Sequence, residues 1–107
     1  MRSAGSRSLS AGAAVARCGA VKARTQAGNQ LRDLVVTAPE QVRELLAGLP
    51  RERQVEAAAG FGPGDLPRPA GGARAAMASI ARRYRELTAE ITRLDAALDE
   101  LVRQAAP

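Results

Sequence analysis

The stretch Met77–Leu101, MASIARRYRELTAEITRLDAALDEL, carries Met77, Ile80, Tyr84, Leu87, Ile91, Leu94, Leu98 and Leu101 at alternating steps of three and four residues. This is an unbroken heptad seam, with Met77, Tyr84, Ile91 and Leu98 at a and Ile80, Leu87, Leu94 and Leu101 at d. A surface helix on a globular core also shows an apolar stripe, but seldom one this strict. The spacing therefore predicts a coiled-coil helix over residues 73–105, about 45–50 Å long. In a parallel, in-register pair the g residue Glu90 would face the e residue Asp95, and two carboxylates there repel. An antiparallel partner is favoured: the first helix of the same chain or of a neighbour, so that the seam forms a homo-oligomer or takes a partner helix.

Working backwards, GFGPGDLPRPAGG over residues 60–72 is too dense in Gly and Pro for a regular element and reads as a loop. Its glycines lack the spacing of a phosphate-cradling P-loop. Residues 13–59 read as a basic helix followed by short helices. Val21, Thr25, Gly28, Leu31 and Val35 share one stripe of the first helix. Gly28 sits in its middle and costs about 1 kcal/mol relative to alanine. Thr37 and Glu40 have the spacing of a capping box, with Pro39 in the first turn, so one helix stops and another starts there. That second helix presents Val42, Leu45, Leu46 and Leu49 and ends near Gly48–Pro50, and RERQVEAAA supplies one more. Residues 1–12, rich in Ser and Gly and without periodicity, read as a disordered leader. The expected fold class is all-α, a hairpin-like arrangement of helices with a long C-terminal coiled-coil helix.

A chain of 107 residues suffices for one small domain. Its apolar content is mostly alanine, with Phe61 and Tyr84 the only aromatics, so each buried residue contributes little. The net charge is +5, and residues 1–36 hold all of that excess, six cations against Asp33 alone. Such a segment suits phosphate contacts, or is simply a solvated basic face. One cysteine and no histidine exclude an intrachain disulfide, a Cys/His zinc site and a Ser-His or Cys-His nucleophile pair. The carboxylates Glu86, Glu90, Asp95, Asp99 and Glu100 flank the heptad seam, where solubility and an i, i+4 pair such as Asp99–Arg103 account for them. No apolar run is long enough to cross a bilayer, and a cytoplasmic location with no membrane partner is expected.

In ARRYREL, Arg82, Arg83 and Arg85 lie on the polar arc beside Tyr84. Arginine forks suit phosphate and a tyrosine face can stack on a base, although the a position of Tyr84 favours a core ring.

Two segments resemble a known family. AVKARTQAGNQLRDLVVTAPEQVRELLAGL (residues 20–49) and IARRYRELTAEITRLDAALDELVRQAAP (residues 80–107) are similar, in the same order, to the middle coiled-coil region of the DEDD-type insertion-sequence transposases, the bridge-RNA-guided recombinases. Gly28 departs from the isoleucine or alanine more usual there. The resemblance implies a truncated transposase fragment linked to DNA transposition and recombination. The family's metal-binding Asp/Glu/Asp/Asp set and nucleophilic serine lie in domains flanking the matched region. No catalytic residue is therefore carried over, and no cofactor is expected in this fragment, the divalent metal belonging to the full-length family. The implied partners are DNA and structured guide RNA, with Lys22, Arg24, Arg32, Arg82, Arg83 and Arg85 the candidate contacts. Whether the chain is an enzyme is left open. The competing expectation is a free-standing coiled-coil dimerisation or interaction protein.

Overall fold

The computed structural model describes residues 2–62 and 70–105. Its order is α1 (Arg2–Thr37), α2 (Glu40–Leu46), α3 (Arg51–Ala59) and α4 (Ala70–Ala105), and no strand occurs among the described residues. The fold is all-α, with α1 and α4 as the two long legs of a hairpin. They run antiparallel: Arg17 pairs with Asp95, Ala14 and Leu98 line one groove, and Gly28 meets Tyr84. The result is a rod of 62 × 20 × 19 Å with a radius of gyration of 18.5 Å, against roughly 13 Å for a compact chain of this length. The mate of the heptad seam is thus α1 of the same chain.

The two short helices fold back over one end of the hairpin and make the core there. Leu31 and Val35 of α1, Val42 and Leu46 of α2, Val55, Ala58 and Ala59 of α3, Phe61, and Met77, Ala78 and Ala81 of α4 form one buried cluster. Around this end α4 is covered on more than one side. Its buried arc is accordingly wider than the a/d seam and takes in Ala78 and Ala81. Farther along, where α1 alone covers α4, Ile91 is buried but Leu87, Leu94, Leu98 and Leu101 are only half-buried. Alanines at 20 and 27 are the buried residues of α1 in this arm, small enough for the two backbones to approach closely.

Several local expectations change. The buried stripe of α1 is Ala20, Ala27, Gly28, Leu31 and Val35; Thr25 is exposed and Val21 half-buried. Alanine, ambiguous in sequence, marks the contact that Thr25 seemed to mark. Helix α1 begins at Arg2, so residues 2–12 continue it where an unstructured leader was expected. No proline precedes Pro39, so nothing stops the helix propagating back along its alanines. Most of the expected 60–72 loop, residues 63–69, lies outside the described residues, and α4 starts at Ala70 rather than at residue 73.

The Thr37 capping box does not form. Helix α1 runs through Thr37, whose hydroxyl donates back to the carbonyls of Asp33 (3.2 Å) and Leu34 (3.5 Å). The N-cap of α2 is Pro39, whose carbonyl accepts from the N–H groups of Val42 and Arg43, each at 2.9 Å. With Ala38 as the only residue between the end of α1 and this cap, Thr37 is still in the helical conformation and cannot cap the next helix. Helix α2 has two turns and buries only Val42 and Leu46; Leu45 and Leu49 are 53% and 37% exposed. Helix α2 ends at Ala47, which turns extended (φ −61°, ψ 136°), and Gly48, at φ +83°, completes a tight turn closed by the Leu49 N–H on the Leu46 carbonyl at 3.2 Å.

Two side chains close helix ends. Gln54 Nε2 donates to the Leu46 carbonyl at 3.0 Å, and Arg82 Nε donates to the Ala59 carbonyl at 3.2 Å. Both carbonyls belong to final turns that lack intrahelical donors. These bonds tie α2 to α3 and α3 to α4.

Depth of burial fixes the expected effect of truncation. Met77 is fully buried, so Met77→Ala should lower unfolding free energy by about 3 kcal/mol; Leu98→Ala, at a half-covered position, should lower it by about 1 kcal/mol. Thermal and urea melts followed by circular dichroism check both values. Equal losses would contradict a core concentrated at the α2–α3 end.

Candidate nucleic-acid interface

Tyr84 stands where α1, α3 and α4 meet. Its ring is half-buried and packs against the core cluster, in keeping with its a position. Its Cε2 lies 3.2 Å from where a Cβ on Gly28 would stand, and the Arg51 guanidinium carbon lies 3.0 Å from the same point. Gly28 is therefore more than a weak spot in α1: the missing side chain leaves the notch that Arg51 and Tyr84 fill. Above the ring, the Arg24 guanidinium carbon is 6.0 Å from the centroid, within range of a cation–π contact.

Beside this junction lies a groove of about 400 Å³ lined by Arg24, Glu52, Val55, Tyr84, Arg85, Thr88 and Ala89. A neighbouring groove shares Arg85 and Ala89 and is lined also by Arg82 and Glu86. Arg24 and Arg85 thus line the first groove, and Arg51, from a third helix, sits at Gly28 on the Tyr84 ring that borders it. Among the described residues the ion pairs are Arg17–Asp95 and Arg103–Glu100, so none of the three has a carboxylate partner. Glu52 lines the groove without pairing to any of them.

The six candidate cations do not form one surface. Arg24 and Arg85 share the first groove, while Arg82 lines the neighbouring one and is held to the Ala59 carbonyl. Lys22 is two residues from Arg24, and at about 100° per residue it points to nearly the opposite side of α1. It lines a separate groove with Ala14, Arg17, Cys18, Val21 and Leu98. Arg32 is exposed and donates to Asn29 Oδ1 at 3.3 Å, and Arg83 is exposed on the outer side of α4. Sequence reasoning missed Arg51. A signal existed: an arginine directly after Pro50 opens α3, where the helix dipole disfavours a cation, so a further reason for it was to be sought.

Of the α4 carboxylates only Glu86 lines the grooves described above, beside Arg82 and Arg85. Arg103 pairs with Glu100 at 2.7 Å, one turn away, in place of the expected Asp99. Among the described residues no three His, Cys, Asp or Glu side chains gather closely enough to hold a metal ion. No described helix is long and apolar enough to cross a membrane.

The chain matches no family model, no curated protein and no solved structure.

Arg82 can be assigned to structure by measurement. Arg82→Ala removes the charged donor from the Ala59 carbonyl and should destabilise the protein by about 1–2 kcal/mol. The Arg17–Asp95 pair is roughly half exposed, and Asp95→Asn should cost less than about 1 kcal/mol, the difference vanishing in high salt. Paired melts at low and high ionic strength separate the two cases.

Proposed function

We propose that this chain is a nucleic-acid-binding helical arm related to the middle region of DEDD-type insertion-sequence transposases, acting in the cytoplasm on DNA or structured RNA. One observation carries the reading: Arg24, Arg51 and Arg85 gather around Tyr84, and no carboxylate among the described residues is paired to any of them. Three cations gathered against the single carboxylate of Glu52 favour an anionic partner, and guanidinium forks beside an aromatic ring suit a sugar-phosphate chain. The basic excess of residues 1–36 and the two-part sequence resemblance support the same reading. The acids and the serine of that family have no counterpart assigned here. The activity proposed is binding, without strand cleavage.

Gel shifts with duplex DNA and structured RNA across a salt series test it. Three phosphate contacts predict a slope of log K against log salt of about −2.7 for duplex. Replacing Arg24, Arg51 and Arg85 together by glutamine should flatten that slope towards zero. Absence of any shift at low salt would eliminate the reading, as would cleavage of DNA in magnesium that one side-chain change abolishes.

The alternative is a helical interaction protein. It is favoured by the incomplete cover of the seam at Leu94, Leu98 and Leu101 and by Val15 and Val102, 73% and 68% exposed. It predicts a stable oligomer in light scattering that is indifferent to nucleic acid.

A further inference from the structure

We propose that the notch at Gly28 and the adjoining groove form a receptor for a terminal phosphate monoester, the phosphorylated end of a nucleic-acid strand. This narrows the binding reading above to one chemical group, and rests on it for the strand that carries the group.

The first argument is charge. Arg24, Arg51 and Arg85 against Glu52 leave the site two positive charges in excess. A phosphate monoester carries close to two negative charges near neutral pH and three acceptor oxygens. An internal phosphodiester carries one charge and two free oxygens, and would leave part of the cluster uncompensated. The second argument is shape. The groove holds about 400 Å³ between helices, space for a phosphate and its nucleoside. The third is the position of the donors. Arg24 lies above the Tyr84 ring and Arg51 is wedged against α1 where only glycine leaves room. Arg85 approaches from α4 in the same groove. Guanidinium groups from three helices can each fork onto a different oxygen.

Gly28 makes the idea separable from stability. A methyl group there overlaps the end of the Arg51 side chain, which is flexible and must move, while Tyr84 need shift by only a few tenths of an ångström. Alanine is also the better helix residue. Gly28→Ala should therefore retain or raise the melting temperature while displacing one donor.

The test is fluorescence anisotropy with a short 3′-labelled oligothymidylate bearing either a 5′-phosphate or a 5′-hydroxyl, with inorganic phosphate as competitor. The phosphorylated strand should bind roughly tenfold tighter, an advantage of about 1.4 kcal/mol. Arg51→Gln and Gly28→Ala should each erase that preference with helicity retained, whereas Arg53→Gln, on the exposed side of α3, should keep it. Equal affinity for the two strands, or a preference that survives both variants, overturns the proposal while leaving general nucleic-acid binding intact. Saturation by inorganic phosphate at the same concentrations, with no gain from the attached strand, assigns the cluster to the free ion and overturns the strand-end proposal. In that last case the nucleic-acid reading falls too if no gel shift is seen.

Discussion

The contact between α1 and α4 is the constraint from which the rest follows. A chain whose apolar content is mostly alanine gains little from each buried side chain. Two long helices laid antiparallel gain through length instead, and the alanines at 20 and 27 allow the close approach that makes such a contact worthwhile. Where larger side chains are available, at Leu31, Val42, Leu46 and Met77, the short helices fold back and close a small core. Where they are not, the hairpin continues as an arm with a half-open seam.

That division gives each end a different character. The core end is tied by backbone-directed bonds from Gln54, which joins the Leu49 N–H on the Leu46 carbonyl, and from Arg82, which serves the Ala59 carbonyl at the end of α3. The arm is aligned by a half-exposed charge pair between the basic α1 and the more acidic distal part of α4. The candidate site lies at the boundary, where α3 meets both legs of the hairpin. Three arginines reach it because three helices do, and the ring of Tyr84 belongs to core and groove at once.

Gly28 shows how a residue changes meaning between levels. Along α1 it is a helix defect. In the folded chain its absent side chain admits Arg51 and Tyr84 to the α1 surface, and a methyl group would push the arginine away. Arg82 changes in the other direction: in a basic run it looked like a contact for phosphate, and folded it closes the end of α3.

The helical class, the four helices in order and the antiparallel sense of the long seam were all readable from residue spacing, from Pro39 and Pro50, and from the Glu90–Asp95 clash that a parallel pair would create. Those features depend on neighbours a few residues apart, which periodicity records. Choosing α1 of the same chain as the mate, turning Thr37 back into its own helix and gathering Arg24, Arg51 and Arg85 beside one ring depended on contacts between residues distant in the chain. Such contacts are set by how long helices of unequal bulk fit together, and a stripe dominated by alanine and glycine leaves that fit to be decided in three dimensions.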